Sequence, residues 1–266
     1  MRLNEIDARY PVILCDIWGC IHDGVELYPG AAARLRRWRD NGQTTILITN
    51  APRTAEAVAA QLRGLGLDPA LWRGIATSGD AGISRLKMAQ RPVGFIGTRS
   101  DRAILEDRGV RIADSDDFAE LACAGLDEMR RSVSEYEEQL RTLAARGVLM
   151  HCLNPDRVVI RGGVPEPCAG ALADVYVERG GAVEYYGKPY PAVYRHAMML
   201  AGDHSAEEVL AIGDGLTTDV LGAARMGFDC VYVTGGIGQG EAIPENFAPT
   251  HDLGNWQPVA VVNGLD

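Results

Sequence analysis

In the first part of the chain, short apolar runs alternate with segments whose apolar positions recur at helical spacing. The run at 12–16 (VILCD) is apolar up to Asp16, and such a run between turn residues is typical of a strand buried on both faces. The spacing predicts a helix at 31–42, closed by an Asn-Gly pair, and a second buried strand at 44–50 (TTILITN). Thr54 is a suitable N-cap for the helix that follows. The pattern therefore predicts a repeated alternation of strand and helix.

The same alternation returns near the C-terminus. Residues 209–227 predict a strand, a Gly-Asp-Gly turn and a helix, and residues 229–236 predict a further strand that ends in glycines. Repeated strand and helix order implies parallel strands with right-handed crossovers, and so a doubly wound, Rossmann-like α/β sheet. Ligands of such sheets bind beyond the carboxyl ends of the strands, where Asp16 and Thr49 are expected. The glycine-rich loop 235–240 lacks the spacing of a nucleotide-binding loop, and we expect it near the site with weak affinity for anions.

The region between these two parts has strand and helix patterns of its own. Residues 89–184 are long enough to form a separate core, and both limits of this region fall in polar stretches. We therefore predict an α/β cap domain at 89–184, inserted into a core domain built from residues 1–88 and 185–266.

Composition narrows the class of partner. With 266 residues the chain can bury a sizeable core, and its net charge of −10 disfavours binding to nucleic acid or to an acidic membrane surface. Neither an apolar leader segment nor an apolar run of about 18 residues is present in the sequence, so we expect a cytoplasmic protein. The six cysteines form no CxxC pair, and we expect buried free thiols rather than a zinc site or disulfides.

Several polar residues of the predicted core form a set suited to phosphoryl transfer. Asp16 supplies a nucleophile, Thr49–Asn50 supply phosphate donors, Lys188 supplies a cation, and Asp214 and Asp219 supply metal ligands. Each is also explained by a plain turn or capping role when taken alone. Their combination favours chemistry at the strand ends, and oxygen ligands of this kind suit Mg²⁺.

At these residues the chain resembles the haloacid dehalogenase-like (HAD) hydrolase superfamily, in its class IIA branch. That branch includes nitrophenyl phosphatases and relatives of pyridoxal phosphatase and phosphoglycolate phosphatase. The matching motifs run in the family's order along nearly the whole chain: CDIWGCIHDG, LITNAPR, TSGDA, AGLDE, LNPD, YYGKPYP and GDGLTTDVLGA. The resemblance implies an active site where the core meets the cap, and a homodimer by analogy with members that pair through the cap.

The resemblance also implies a role for each site residue. Asp16 is implied as the nucleophile and first metal ligand, and Thr49–Asn50 as the phosphate cradle, through the Asn50 backbone. Lys188 is implied to pair with both nucleophile and phosphate. Asp214 is implied to bind Mg²⁺, with Asp219 supporting the metal directly or through water.

Position 18 departs from the family pattern. An aspartate there protonates the leaving group and later activates water in the phosphatases, and its backbone carbonyl binds the metal. Trp18 keeps the carbonyl and lacks the acid, a loss that typically costs about 10²–10⁴ in rate. The indole is either an apolar plug or a surface that stacks on substrate. His22 and Asp23 are the nearest titratable replacements, although polar residues of a flap that faces solvent are the commoner case.

Three functions follow from this pattern. The first is a Mg²⁺-dependent phosphatase that acts on a small phosphorylated metabolite through an aspartyl-phosphate, slowed by Trp18. The second is another reaction of the same scaffold, such as carbon-halogen cleavage, in which the pair Asp214 and Asp219 has no purpose. The third is a non-catalytic protein that binds a phosphorylated metabolite. The role of Asn154-Pro155-Asp156 in the cap is open between substrate contact and turn formation.

Overall fold

The structure is a computed structural model that describes residues 3–161, 164–236 and 242–266. Its strands are β1 (Val12–Asp16), β2 (Thr44–Thr49), β3 (Gly74–Thr77), β4 (Gly94–Ile96), β5 (Glu120–Cys123), β6 (Leu149–Cys152), β7 (Val158–Arg161), β8 (Val164–Pro167), β9 (Ala182–Tyr185), β10 (Val209–Gly213), β11 (Asp229–Val233) and β12 (Ala260–Val262). Its α-helices are α1 (Leu3–Ile6), α2 (Ala31–Asp40), α3 (Ala55–Gly64), α4 (Ser78–Leu86), α5 (Arg99–Asp107), α6 (Glu137–Ala145), α7 (Ala169–Glu178), α8 (Pro191–Ala201), α9 (Leu221–Met226) and α10 (Phe247–Thr250). Among the described residues, no helix combines the length and the hydropathy that a membrane span requires.

The chain divides into two compact units. The first contains the chain up to Thr49, the segment Ala55–Ala76 and the chain from Lys188 onward. The second contains Asn50–Thr54 and Thr77–Gly187. The region 89–184 lies inside the second unit, which also includes α4. The limits 89 and 184 for a cap domain stay a prediction.

The first unit is built on a six-stranded sheet with the strand order β12-β11-β10-β1-β2-β3. β1 pairs in parallel with β2 and with β10, and the parallel pairing continues from β10 to β11 and from β11 to β12. Strands are therefore added first on one side of β1 and later on the other, so the strand order reverses between β1 and β10. Asp16 ends β1 and Asp214 follows β10, which places both carboxylates where such sheets bind ligands. The predicted α/β class with a parallel-sheet core is confirmed.

The central strands are buried along their whole length, as their continuous apolar runs predict. Every residue of β1 and of β10 is buried. Helix α8 packs against this part of the sheet, with Val193, Tyr194 and Ala197 in the same core as Val12 and Leu14. Residues at the ends of β1 and β10 are therefore carried by a well-packed platform.

The second unit has a sheet and core of its own. Its four-stranded sheet has the order β4-β5-β6-β9 with parallel pairing throughout, and β7 and β8 form a separate antiparallel hairpin. Helices α6 and α7 supply core residues such as Leu140 and Leu172. Helix α5 begins at a capping box in which Thr98 and Asp101 satisfy each other's backbone N–H groups. This α/β unit interrupts the first unit in the chain, as an inserted domain does.

Two further expectations bear on the site. All six cysteines are buried and none forms a disulfide, as predicted. The glycine-rich loop 235–240 lies outside the described residues from position 237 to its end.

Candidate active site

Lys188 joins two of the predicted site carboxylates. Its Nζ donates to Asp16 Oδ1 at 2.6 Å and to Asp219 Oδ1 at 2.7 Å, and all three side chains are about 5% exposed. Asp16 comes from the end of β1, whereas Lys188 lies shortly before α8, at the return of the chain to the first unit. Residues 172 positions apart in the sequence are thus in direct contact.

The charges of this group are strongly coupled. Burial alone would lower the pKa of Lys188, but Asp16 and Asp219 hold it well above its ordinary value, so the ammonium stays charged. Burial raises the pKa of Asp16, and the charge of Asp219 adds to that effect while Lys188 opposes it. Buried negative charge of this kind favours the arrival of a further cation.

Asp16 also belongs to a second group of possible metal donors. One carboxylate oxygen of Asp16, one of Asp214 and the Cys20 Sγ lie within 4.8 Å of one another, and all three residues are buried. Two carboxylates satisfy the need of Mg²⁺ for one or two protein carboxylates besides waters, so the donors present fit a hard divalent ion. The thiol is a softer ligand that zinc and other transition metals would prefer.

Sequence reasoning missed Cys20 because it treated every cysteine as a small buried hydrophobe. The available signal was its position four residues after Asp16, in the turn that leaves β1. Burial, followed by the charge of Asp16, raises the pKa of the Cys20 thiol.

Two glycines hold the Asp214 carboxylate in place. A Cβ added at Gly19 or at Gly236 would overlap Asp214 Oδ2, so only a bare backbone fits on either side of this oxygen. Gly19 also has φ +93°, a left-handed conformation that favours glycine. Both backbones therefore approach the Asp214 carboxylate too closely for a larger residue at either position.

Asp219 contacts Lys188 and also groups of the turn in which it lies. It lies in a π-helical turn, Leu216–Val220, a local geometry that often occurs at functional sites. Its Oδ2 accepts from the backbone N–H of Gly215 and from the Thr218 hydroxyl, each at 3.2 Å. Among the described residues, the three-donor group contains Asp214 and not Asp219. A role of Asp219 in metal binding stays a prediction, whereas its contact with Lys188 is direct.

Besides Lys188, the predicted phosphate-binding residues are Thr49 and Asn50, which belong to different units. Thr49 is buried at the end of β2, one residue beyond Ile48, the register partner of Asp16. Asn50 is buried in the second unit, where its Nδ2 donates to Asp156 Oδ1 at 2.8 Å. The predicted phosphate cradle stays a prediction for both.

The motif around Asp156 forms a turn. The backbone N–H of Asp156 donates to Asn154 Oδ1 at 3.0 Å. The Asp156 carboxylate accepts the hydrogen bond from the Asn50 side chain. Of the two interpretations left open by the sequence, these contacts favour turn formation.

Trp18 lies within the small flap that follows β1. Its indole is half-buried and meets the His22 ring edge-on, with the centroids 5.1 Å apart. A Cβ at Gly24 would overlap the six-membered part of the indole. The ring therefore packs against the backbone of its own flap.

The two titratable flap residues both have local partners. His22 is buried, its Nδ1 accepts from the Gly24 N–H at 2.8 Å, and burial lowers its pKa. Asp23 is exposed, and its Oδ1 accepts from the N–H groups of Val25 and Glu26 at 2.8 and 2.9 Å. The hydrogen bonds from Glu26 and then Val25 lower the Asp23 pKa. Both residues shape the flap.

Comparison with known proteins finds related sequences and structures. A family model described as haloacid dehalogenase-like hydrolase matches residues 13–111, and one described as HAD-hydrolase-like matches residues 185–263. A solved haloacid dehalogenase-like hydrolase from Brucella suis 1330 is 32% identical, with a TM-score of 0.86 and coverage of 100% of this chain and 99% of that one. The chain belongs to the haloacid dehalogenase-like hydrolase family. The resemblance drawn from the motifs is confirmed.

Similar HAD-family proteins are phosphatases by name. Dihydroxyacetone phosphatase from Corynebacterium glutamicum is 29% identical over 256 residues, covering 93% of this chain and 90% of the relative. The ribonucleotide monophosphatase NagD of Escherichia coli K12 is 29% identical over 230 residues, covering 85% of this chain and 88% of the relative. These relatives support the predicted class IIA, phosphatase-like branch.

The HAD-family matches also cover the site. The first matched segment contains Asp16 and Thr49, and the second contains Lys188, Asp214 and Asp219. Residues 112–184, which neither model covers, all belong to the second unit.

Proposed function

We propose that this chain is a Mg²⁺-dependent phosphatase that hydrolyses a small phosphorylated metabolite through an aspartyl-phosphate on Asp16. The observation that carries the proposal is the contact of Lys188 with both Asp16 and Asp219, with the Asp214 carboxylate beside Asp16. The names of the relatives support the substrate class. A cytoplasmic location and a homodimer belong to the same proposal as expectations from sequence and analogy.

The residues divide the chemistry among them. Asp16 attacks phosphorus, and Lys188 orients its carboxylate and balances charge on the transferred group. Bound Mg²⁺, held by Asp16, Asp214 and the Trp18 carbonyl, would neutralise the phosphate oxygens. Thr49 and the Asn50 backbone would hold the phosphate as donors, and Asp219 positions Lys188. Most catalysis of phosphoryl transfer consists of such positioning and charge balance.

The two alternative functions differ in how well they fit these contacts. Carbon-halogen cleavage also uses an aspartate nucleophile, but it gives no reason for a second carboxylate within 4.8 Å of Asp16. A protein that only binds phosphate is favoured by one observation, the packing of Trp18 into the flap.

The test is turnover of a panel of phosphate esters with Mg²⁺ by the natural chain, Asp16→Asn and a matched exposed control, Asp40→Asn. We expect Asp16→Asn to lose about 10⁴-fold or more of the activity, because the nucleophile is removed, and Asp40→Asn to retain it. Acid-quenched natural protein should carry phosphate on Asp16. Equal turnover by Asp16→Asn would overturn the assignment of the nucleophile, and phosphate binding without turnover in any panel member would favour the non-catalytic alternative.

A further inference from the structure

The flap offers no proton carrier at position 18. An indole N–H donates a hydrogen bond but does not exchange its proton near neutral pH. The ring is also held in place, since it packs on Gly24 and meets His22 edge-on at 5.1 Å. Trp18 is therefore a fixed apolar group two residues after the proposed nucleophile.

The titratable side chains of the flap, and Lys188, have structural roles. His22 Nδ1 accepts the Gly24 N–H, and the residue is 2% exposed. The Asp23 carboxylate caps the turn by accepting two backbone N–H groups. Lys188 is held by two carboxylates, which suits a fixed cation and not a proton donor. Among these described groups, none is placed as a substitute for the missing acid.

The lack of an acid at position 18 slows the first step for some substrates more than for others, depending on the leaving group. In the first step, a bond forms between an Asp16 oxygen and phosphorus, and the bond from phosphorus to the leaving oxygen breaks. The leaving oxygen takes the electron pair, so an alkoxide needs a proton, whereas a phenolate, enolate or carboxylate is stable as the anion. General acid catalysis typically contributes about 10²–10⁴ in rate, and most of that contribution is lost only for the alkoxide.

We propose that this site acts on phosphoryl groups whose leaving oxygen departs as a stable anion, namely aryl, enol and acyl phosphates, and not on alkyl phosphate esters. This inference rests on the proposed function and names its substrate class. It sets the chain apart from a phosphatase that carries an acid at position 18.

The second step of the reaction leads to the same distinction. Water attacks the aspartyl-phosphate, the bond from phosphorus to Asp16 breaks, and the proton of the water leaves with inorganic phosphate. A base at position 18 would assist this attack, and Trp18 does not. With a good leaving group the first step is therefore fast and the second is slow, so phosphorylated Asp16 accumulates.

The experiment compares aryl phosphates of graded leaving-group acidity with an alkyl phosphate, at fixed Mg²⁺, for the natural chain, Trp18→Asp and Trp18→Asn. Asparagine matches aspartate in size and carries no transferable proton, so it separates acid chemistry from the space left by the indole. For the natural chain we expect a steep dependence of kcat/KM on leaving-group acidity and a burst of about one product per site with the best aryl phosphate. Trp18→Asp should make kcat/KM depend less on leaving-group acidity and should remove the burst. It should also raise the turnover of the alkyl phosphate by about 10²–10⁴. In Trp18→Asn the dependence of kcat/KM on leaving-group acidity should stay steep.

The outcomes distinguish this inference from the proposed function. The inference would be overturned if kcat/KM of the natural chain depended only weakly on leaving-group acidity, or if Trp18→Asp and Trp18→Asn raised alkyl phosphate turnover equally. Either result would leave the proposed phosphatase function standing. If kcat/KM of Cys20→Val depended more steeply on leaving-group acidity than that of the natural chain, the Cys20 thiol would be identified as the proton donor. That result would also overturn the inference. Failure of the proposed function has a different signature, namely no turnover of any aryl phosphate or full turnover by Asp16→Asn.

Discussion

Each of the two units contains a cluster of charged and polar side chains with a buried centre, and the clusters differ in how their charge is matched. In the first unit, one ammonium at Lys188 contacts Asp16 and Asp219, and a third carboxylate, Asp214, lies beside Asp16. In the second unit, the buried His151 lies between Glu120 and Tyr186, with both contacts at 2.8 Å.

The second cluster is closed by its own members. Arg85 lies 3.0 Å from Glu120, and the Tyr186 hydroxyl donates to Glu184 Oε2 at 2.7 Å. The carboxylate side chains are 22% and 49% exposed, so solvent screens their charge. In the first cluster the carboxylates of Asp16, Asp214 and Asp219 are all buried, so solvent screens their charge much less. The difference indicates that the first cluster is built for an added cation and the second for holding β5, β6 and β9 together.

The largest expected effect comes from removing the ammonium of the first cluster. Lys188→Met leaves two buried carboxylates without their shared partner, so we expect a loss of about 3–5 kcal/mol in unfolding free energy without divalent cations. Turnover should fall about 10²–10³-fold, because the transferred group loses a fixed positive charge. Denaturant unfolding and steady-state kinetics measure both.

Lys87→Met is the matched control for this change. Lys87 is the other lysine of the chain and is exposed. We expect its replacement to alter neither quantity measurably. Similar losses in both variants would contradict the special role of the ion pairs around Lys188.

A smaller effect is expected at the centre of the second cluster. His151→Phe keeps a ring of similar shape but removes the contacts to Glu120 and Tyr186, which should cost about 1–3 kcal/mol of unfolding free energy. With an aryl phosphate as substrate, kcat should stay within about twofold, since the change removes no group assigned to chemistry. His204→Phe, at a partly exposed histidine of the first unit, should cost less. A loss of kcat without a loss of stability would show that the two clusters were misassigned.

The smallest effect is a difference in pH dependence. Burial lowers the pKa of His151 below its ordinary value of 6.5, against the opposing influence of Glu120 and Glu184. The unfolded chain then binds more protons than the folded one below about pH 6.5, so unfolding free energy falls as the pH drops through that range. His151→Phe should show a shallower fall between pH 7.5 and 5, with the remainder due partly to His22, whose pKa is lowered in the same direction. Parallel profiles for the two proteins would contradict this contribution.

The sequence predicted the framework of the first unit closely because its signals are local. The predicted strand 12–16 is β1 in the structure, and the predicted strand 44–50 differs from β2 by one residue. The helix predicted at 31–42 ends at Asp40, since Asn41 and Gly42 form the stop rather than its last turn. The period of the apolar positions and the residues of the turns determine where such strands and helices begin and end, without any distant contact.

The contacts of the site could not be predicted in the same way. Three features depend on how distant segments pack: the distance between Lys188 and Asp219, the position of Cys20, and the hydrogen bond from Asn50 to Asp156. The motif order of the family grouped Asp16, Lys188, Asp214 and Asp219, but it left the detailed partner of each residue open. The His151 cluster carried no sequence signal, because its members come from α4, β5, β6 and the end of β9 and share no motif.

Trp18 also gives the flap an optical signal. Its indole is half-buried two positions after Asp16, whereas the indole of Trp38 is fully buried in the core. Indole emission shifts with nearby charge and hydration, so a cation or anion that enters the carboxylate group will change the fluorescence of Trp18 while that of Trp38 stays constant. Because Trp72 and Trp256 also emit, the change in emission that Trp18→Phe abolishes reports occupancy of the carboxylate group, without a reaction and without an attached dye.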